Sequence, residues 1–492
     1  MSPALFLLCV IAYSALLFYV VWRTSKNADN ESFFIGNKSS KWYVVAYGMI
    51  GASLSGVTFM SVPGLVNSAH FTYMMVVFGY LVGYAVIAFV LLPMYYKMNL
   101  TSIYSYLEKR FGFWSHKTGA VFFLFSRTIG ASFRLFIVVN VLQLFIFDGW
   151  NFPFWATVSI FIALILLYTY KGGVKTIVWT DTLQTTFMLI AVVMAIYLIV
   201  DQSGLSLSNI FNSISEKNYS QLFNFNWREK NYFLKHFAGG IFIAIAMTGL
   251  DQEMMQKNIS VKTLRDSQKN MISFSIVLVF INLLFLFLGA VLYIYAFSKG
   301  IAIPTRSSDD LFPVIALNYL GIPAALFFII GLISAAYPSA DGALTALTSS
   351  FCIDILNIKN RNLTEAKQKN IRYTVHLTFA FLLLLLIIGF RIINKESVIN
   401  ELFTIAGYTY GPLLGLFAFG LFSKRAPNDN LVPLICILSP LICYFLNKNS
   451  QTMFNGYKFG FELLILNGYL TYLGLYMFST IGNVEKKSPK IQ

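Results

Sequence analysis

Four polar side chains recur at helical spacing inside a long apolar stretch, residues 332–351. They are Ser334, Asp341, Thr345 and Thr348. The last three follow the first by seven, eleven and fourteen residues, so all four fall on one face of a helix. A carboxylate at membrane depth costs about 2.5–3.5 kcal/mol even on lenient insertion scales. A cation bound at Asp341 would offset that cost, and the alternative is a buried polar stripe that holds helices together.

Small and hydroxylated residues interrupt a second apolar stretch, residues 48–64, which reads Gly-Met-Ile-Gly-Ala-Ser-Leu-Ser-Gly-Val-Thr-Phe-Met-Ser-Val-Pro-Gly. Glycine tolerates many backbone conformations, and the serine hydroxyl competes for backbone hydrogen bonds. We therefore predict a helix that breaks in mid-membrane. Carbonyls freed at such a break can coordinate sodium, and the alternative is a packing face of small residues. A later stretch, 237–256, repeats the theme with Asp251, for which a solvated helix cap is the alternative. Two such breaks, five helices apart, are typical of an inverted-repeat transporter.

Two arginines and an aspartate also lie within apolar stretches. Arg127 lies close enough to the inner membrane face to extend its guanidinium into water. Arg134 lies near the midplane, where its guanidinium requires a carboxylate partner. That partner is either a bound solute or Asp181, and the sequence favours neither. Asp181 itself suits an ion route or a helix N-cap equally well.

The composition indicates a polytopic membrane protein. Of the 492 residues, 57% are hydrophobic and only 12% are charged, against about 25% charged in soluble domains. The net charge of +15 does not indicate a nucleic-acid partner, because the excess lies in short loops between apolar spans. The four cysteines and four histidines lack the spacing of a metal centre.

Hydropathy predicts thirteen membrane spans in one domain, residues 1–492. The spans are 4–22, 44–67, 73–96, 118–147, 153–170, 176–200, 236–256, 271–297, 322–355, 373–393, 398–422, 430–446 and 460–481. Lysine and arginine are more than twice as numerous in the loops on one side of this arrangement as on the other. The positive-inside rule then places the N-terminus outside and the C-terminus in the cytoplasm of an inner membrane.

Several motifs resemble one known family. They are Tyr-Thr-Tyr-Lys-Gly-Gly at 168–173, Val-Trp-Thr-Asp-Thr-Leu-Gln at 178–184, Thr-Gly-Leu-Asp-Gln at 248–252, Leu-Ser-Gly-Val-Thr-Phe-Met-Ser-Val-Pro at 54–63 and Tyr-Gly-Pro-Leu-Leu-Gly-Leu at 410–416. The chain resembles the sodium/solute symporter family, and within it the bacterial sialic acid symporters most. The resemblance extends from the first predicted span to the twelfth.

This resemblance implies an all-α membrane fold of the LeuT type, built from five-plus-five inverted repeats. The first repeat would cover 44–200 and the second 236–422. One extra helix, 4–22, would precede the repeats, and two more within 430–481 would follow them.

The resemblance also implies where the ions bind. One sodium site would use the carbonyls of Gly51, Leu54 and Ala335 together with the hydroxyl of Ser339. The chain departs from the family at Pro338, where a second hydroxyl is expected.

A second sodium site, present in some members, would map onto Asp181, Ser339, Asp341 and Gly342. Asp341 replaces a hydroxyl there, and its added charge would hold the ion more tightly or take up a proton.

For the solute, the resemblance places Arg134 where a sialic acid carboxylate is clamped, with Ser53, Ser55 and Thr58 as solute-facing hydroxyls. Tyr73 and Gln252 complete the expected binding set. The family's glutamine in the third span has no counterpart, because residues 77–81 are read as apolar. A carboxylate solute is expected, and sialic acid is one option.

The function implied is sodium-coupled symport of a small organic solute by alternating access, with no enzymatic activity. Its partners would be the solute, sodium ions and the bilayer, without nucleic acid, and it would act as a monomer. Two alternatives remain at this stage, namely proton-coupled symport and a transporter-like solute sensor.

Overall fold

The computed structural model describes residues 3–24, 33–34, 36–204, 206–304, 307–358, 361, 363–393 and 398–480. Its α-helices are α1 (Pro3–Thr24), α2 (Trp42–Ser53), α3 (Gly56–Ala69), α4 (Met74–Val86), α5 (Leu92–Lys97), α6 (Ser105–Arg110), α7 (Phe113–Leu142), α8 (Phe154–Ser203), α9 (Leu207–Glu216), α10 (Phe233–Ala244), α11 (Gln252–Ile259), α12 (Leu264–Ser298), α13 (Leu311–Asn318), α14 (Gly321–Ser350), α15 (Glu365–Ile393), α16 (Val398–Thr409), α17 (Gly411–Phe422), α18 (Val432–Lys448), α19 (Ser450–Met453) and α20 (Leu463–Met477). Short π-helical segments follow α4, α7, α10 and α14, at Ile87–Leu91, Gln143–Phe147, Ile245–Gly249 and Phe351–Ile355. The strands β1 (Ala426–Pro427) and β2 (Ser479–Thr480) pair antiparallel.

Among the described residues, eight helices are long and apolar enough to cross a membrane. Three helix pairs pass the same test jointly but are bent at a short break, by 59° between α2 and α3, 67° between Phe233–Gly249 and α11, and 44° between Leu402–Thr409 and α17. Two shorter apolar helices are Phe154–Thr169 and Leu463–Met477. The chain is therefore a multi-pass, mostly helical membrane protein with 8 to 11 spans by this criterion, while the count of thirteen stays a prediction.

The break predicted in the second span lies at Leu54. This residue has φ −88° and ψ 81°, and Ser55 is extended before α3 begins. The Leu54 N–H donates to the carbonyl of Ile50 at 2.8 Å and closes the last turn of α2. Carbonyls in the last turn of a helix lack intrahelical donors, so the break frees backbone oxygens in mid-span.

The break in the seventh predicted span lies at Asp251, which is fully buried. Its carboxylate accepts hydrogen bonds from the N–H groups of Glu253 (2.9 Å) and Met254 (3.3 Å), so it is the N-cap of α11. The negative charge of a carboxylate at this position also interacts favourably with the positive N-terminal end of the helix dipole. The sequence allowed a solvated cap, but the cap lies inside the protein.

Two features of the chain path differ from the predicted spans. The spans 153–170 and 176–200 join in one helical element, α8, which turns at Gly173 with φ +53°. A Cβ at this position would overlap the backbone of Phe33, and the positive φ also favours glycine. A third break, at Tyr410 before α17, was not predicted, although Pro412 in the first turn of α17 is a typical helix start.

The helices α4 and α10 pack backbone against backbone through glycines. A Cβ at Gly240 would overlap the carbonyl oxygen of Val76, and one at Gly83 would lie 2.5 Å from the carbonyl oxygen of Ile241. Small residues allow such close approach in membranes, where dispersion contacts rather than hydrophobic burial hold helices together.

We expect Gly240→Ala to destabilise the protein by about 1–3 kcal/mol, because the two helices must separate to admit the methyl group. The loss is measured as a lower midpoint temperature of unfolding. The protein is heated in detergent, and the fraction that stays monodisperse is followed against temperature. Gly389→Ala is the matched control, since a Cβ at this helical glycine meets nothing within 4 Å. It should leave the midpoint unchanged or raise it, as alanine is the better helix former. Equal losses in both variants would contradict this account.

Candidate functional site

A cavity opens beside the break at Leu54. It encloses about 690 Å³ of space outside atoms, including the part open to solvent. Its walls come from α2 to α4, α7, α10 to α12 and α16, and the lining residues are Ala52, Ser53, Leu54, Ser55, Val57, Thr58, Tyr73, Tyr80, Tyr84, Arg127, Arg134, Ile243, Ala244, Met247, Thr248, Met254, Leu278, Asn282, Leu402 and Phe403. The lining combines apolar side chains with an equal share of polar groups, and polar groups that converge on a pocket are what orients a small molecule.

Five of the six residues expected to bind solute line this cavity, namely Ser53, Ser55, Thr58, Tyr73 and Arg134. The sixth, Gln252, does not. Its side-chain oxygen accepts from the N–H of Ile103 at 3.0 Å, and its side-chain nitrogen donates to the carbonyl of Thr101 at 3.0 Å. Gln252 therefore fixes the chain before α6 and has no free polar atom to offer a solute.

Arg134 has no carboxylate partner among the described residues. Its side chain is 9% exposed, and its Nε is buried without a hydrogen-bond acceptor in this part of the chain. The alternative partner weighed from the sequence, Asp181, instead accepts from Lys257 Nζ at 2.7 Å. A guanidinium without an anion at this depth is costly, so the cavity is suited to an anionic ligand.

Beside the predicted Tyr73, the third span contributes two aromatic polar groups that were not predicted, Tyr80 and Tyr84. Tyr73, Tyr80 and Tyr84 all line the cavity, and the hydroxyls of the first two lie 3.3 Å apart. Their offsets of seven and eleven residues put them on one face, which was the signal available in the sequence. The reading of 77–81 as apolar overlooked Tyr80. Asn282, a lone amide in an apolar span, also reaches the cavity wall.

Arg127 was expected to extend into water, and this is wrong. Its side chain is 3% exposed and pairs with Glu253, and its guanidinium lies 3.8 Å from Asp251. Asp251 also accepts from the Tyr410 hydroxyl at 2.9 Å. Asp251, the buried N-cap of α11, thus neutralises Arg127 of α7. Its hydrogen bond to Tyr410 also connects the helix breaks at residues 251 and 410.

Backbone contacts bring the broken second span against the later half of α8. The N–H of Gly51 donates to Thr185 Oγ1 at 3.0 Å. A Cβ at Gly48 would lie 3.1 Å from Asp181 Cβ. The carbonyl-rich end of α2 and the acidic start of the sixth predicted span are therefore neighbours, as an ion site at the break requires.

The helix α14 carries the polar stripe and runs through Pro338 without a break. Because proline has no N–H, the carbonyl of Ser334 loses its helical donor. Ser339 Oγ is fully buried without a partner among the described residues. Asp341 is also fully buried and accepts from the Tyr168 hydroxyl at 2.8 Å and from the N–H of Gly342.

The members of the polar stripe divide into two groups. Ser334 Oγ donates to the Tyr13 hydroxyl at 2.8 Å, and Thr348 Oγ1 lies 2.9 Å from His376 Nδ1, so these two hold helices together. Asp341 makes no ion pair with the described residues, and Thr345 Oγ1 has no partner there. These two remain available to a ligand.

Several buried polar atoms of α8 and α14, two helices that pack against each other, have no hydrogen-bond partner among the described residues. They include Asp181 Oδ1, both side-chain polar atoms of Gln184, Ser339 Oγ and Thr345 Oγ1. An unsatisfied buried polar atom costs about 1–3 kcal/mol. All but the amide nitrogen are oxygens, which are the ligands that hard cations prefer.

The fold, the broken helices and the oxygen-lined interface define a secondary transporter. The model of the sodium:solute symporter family matches residues 33–430, and the chain belongs to this family. Sodium is therefore its coupling ion and symport its activity, and the protein is a transporter and not an enzyme.

Two relatives and one solved structure illustrate the kinship. The chain is 24% identical over 458 residues to the sodium/sialic acid symporter NanT of Aliivibrio fischeri, covering 91% of this chain and 88% of that protein. It is 21% identical over 427 residues to the sodium/sialic acid symporter SiaT of Proteus mirabilis, covering 85% and 84%. A substrate-bound, outward-open Na⁺-coupled sialic acid symporter has the same fold, with a TM-score of 0.83 at 19% identity, covering 96% of this chain and 97% of that one.

Proposed function

We propose that the protein imports a small organic carboxylate, such as an acidic sugar, together with sodium by alternating access. The observation that carries this proposal is the Arg134 guanidinium, which lines the cavity and has no carboxylate partner in the described part of the chain. A carboxylate solute would form a bidentate, charge-assisted pair with it. The relatives named for sialic acid make that sugar the first solute to test.

Hydroxyls of Ser53, Ser55 and Thr58 would orient the solute from the break, and Tyr73 would close it from the third span. These residues line the same cavity as Arg134. Tyr80 and Asn282 belong to this set by position. Gln252 is left out because its polar atoms are committed to backbone groups.

The sodium ion would bind at the carbonyls of Gly51, Leu54 and Ala335 and at Ser339 Oγ. Asp341, two residues beyond Ser339, would supply the negative charge. Leu54 belongs to both sites, because it lines the cavity and its backbone forms the break. Binding of the ion would therefore fix the backbone that presents the solute hydroxyls, and each sodium entering down 100 mV supplies about 2.3 kcal/mol.

We further propose the five-plus-five repeat layout of 44–200 and 236–422, with 4–22 before it and two helices within 430–481 after it. The basic loops favour an outside N-terminus and a cytoplasmic C-terminus in the inner membrane. The tail beyond residue 480 lies outside the described residues. A cavity enclosed by helices of a single chain is compatible with transport by a monomer.

The coupling ion and solute class can be tested in proteoliposomes in which sodium and proton gradients are set independently. We expect an inward sodium gradient to drive accumulation of labelled sialic acid or another carboxylate, and accumulation should persist when both sides are held at one pH. A pH gradient alone should drive none. Uptake that follows the proton gradient without sodium would contradict the proposal and favour protonation of Asp341.

A further inference from the structure

The predicted span 236–256 ends just before Lys257, which places this lysine in a loop, but the structure buries it. All of α11 is buried, and the Lys257 side chain is 3% exposed. Its Nζ donates to Asp181 Oδ2 at 2.7 Å and to Glu253 Oε1 at 3.3 Å. Lysine is almost never buried to this extent without a paired anion. Its charge thus lies in the protein interior and not in a solvent-exposed loop.

The charges around Lys257 alternate in sign. Glu253 is shared by Arg127 of α7 and Lys257 of its own helix, and Lys257 in turn binds Asp181 of α8. The Asp251 carboxylate pairs with the Arg127 guanidinium and accepts hydrogen bonds from N–H groups at the N-terminus of α11. Each member of this buried chain has an opposite charge beside it, which offsets the cost of desolvation.

Asp341 lies beside this chain but forms no ion pair with a cation among the described residues. A Cβ at the adjacent Gly342 would overlap the Glu253 carboxylate, so α14 packs directly on the network. The charges of Asp181 and Lys257 both reach Asp341. Its own contacts are a tyrosine hydroxyl and a backbone N–H. Two buried aspartates therefore face one region, and of the two only Asp181 forms an ion pair with Lys257.

We propose that the Lys257 ammonium is a tethered cation that replaces a second sodium at Asp181, so that this symporter binds one sodium ion per transport cycle. The mobile ion then belongs to the side of Asp341 and Ser339. This inference rests on the proposed function and narrows it to a stoichiometry. An ammonium fits because it carries the same single charge as sodium and offers three donors to carboxylate oxygens.

The test is a count of ²²Na⁺ ions bound per purified full-length chain, measured in detergent without solute. We expect one ion in the wild type and a sodium titration with a Hill coefficient near 1. Lys257→Met removes the charge at similar side-chain length, and it should raise the count to two. Lys257→Arg keeps the charge and should keep the count at one. The double variant Lys257→Met/Asp181→Asn should return it to one.

The outcomes separate this inference from the proposed function. A count of two bound sodium ions in the wild type would overturn the inference that Lys257 replaces a sodium ion, while sodium coupling itself would be unaffected. This count does not depend on whether a variant folds. One ion in a monodisperse Lys257→Met preparation also overturns it. A wild type that binds no ²²Na⁺ refutes the proposed ion site, and this inference falls with it.

Discussion

Replacement of Arg134 by alanine is expected to weaken carboxylate binding about 100-fold. The loss of one partner of a buried, hydrogen-bonded charge pair costs about 2–5 kcal/mol, and each 1.4 kcal/mol is a factor of ten in affinity. The cavity holds no second unpaired guanidinium in the described residues to take over, since Arg127 is committed to Glu253. Binding is measured as the solute-induced shift of the thermal midpoint in saturating sodium, and uptake in proteoliposomes.

Two further variants make this result specific to the clamp. Arg134→Lys keeps the charge but loses the fork geometry, so it should retain part of the affinity. Ser132→Ala changes the same helix two residues away, at a buried hydroxyl that donates to the carbonyl of Thr128 at 2.8 Å and does not line the cavity. It should bind like the wild type. If Arg134→Ala kept its affinity for the carboxylate solute, Arg134 would not be the residue that binds the carboxylate.

Replacement of Asp341 by asparagine or alanine is expected to raise the half-saturating sodium concentration at least about 10-fold, or to abolish sodium-driven uptake. The carboxylate is the only acidic group that we place at the ion site without a protein cation. A unit charge about 4 Å from an ion is worth up to about 4 kcal/mol at an effective dielectric constant of 20. The readout is ²²Na⁺ binding, followed by the sodium dependence of uptake.

The matched control is Asp201→Asn, which removes the same charge from an exposed position near the end of α8. It should leave sodium affinity unchanged. Asparagine at 341 can still accept from the Tyr168 hydroxyl, so Asp341→Asn separates loss of charge from loss of packing. Sodium-driven uptake with an unaltered sodium titration in Asp341→Asn would end the role proposed for this carboxylate.

The Arg134 and Asp341 variants test the two proposed binding sites separately. Arg134 and the hydroxyls beside Leu54 form the proposed solute site, whereas Asp341 and Ser339 contribute to the ion site on the other side of the break. If the sites are coupled, sodium should increase solute affinity in the wild type, and solute should increase sodium affinity by the same factor. This reciprocity should be lost in Asp341→Asn even if some solute still binds.

Much of the site could be predicted from the sequence because its signals are local. Glycines and serines around Leu54 weaken a helix wherever they occur, so the break at that position was predictable. The periodic face that contains Asp341 and the depth of Arg134 follow from helical spacing and hydropathy. The same spacing would have shown Tyr80 and Tyr84 beside Tyr73.

The pairing of charges could not be predicted, because hydropathy gives the depth of a residue but not its neighbours. Lys257 and Asp181 are 76 residues apart, and Arg127 and Glu253 are 126 apart. Lysines and arginines near the end of a span have two outcomes, exposure to water or burial beside a carboxylate, and only the packing of α7, α8 and α11 selects between them. The sequence by itself determined a membrane transporter with a broken helix, an arginine and an aspartate at depth. Only the tertiary structure decided that Asp181 pairs with Lys257, and that Arg134 and Asp341 have no ion pair among the described residues, since each buried charge takes the nearest opposite charge that the fold supplies.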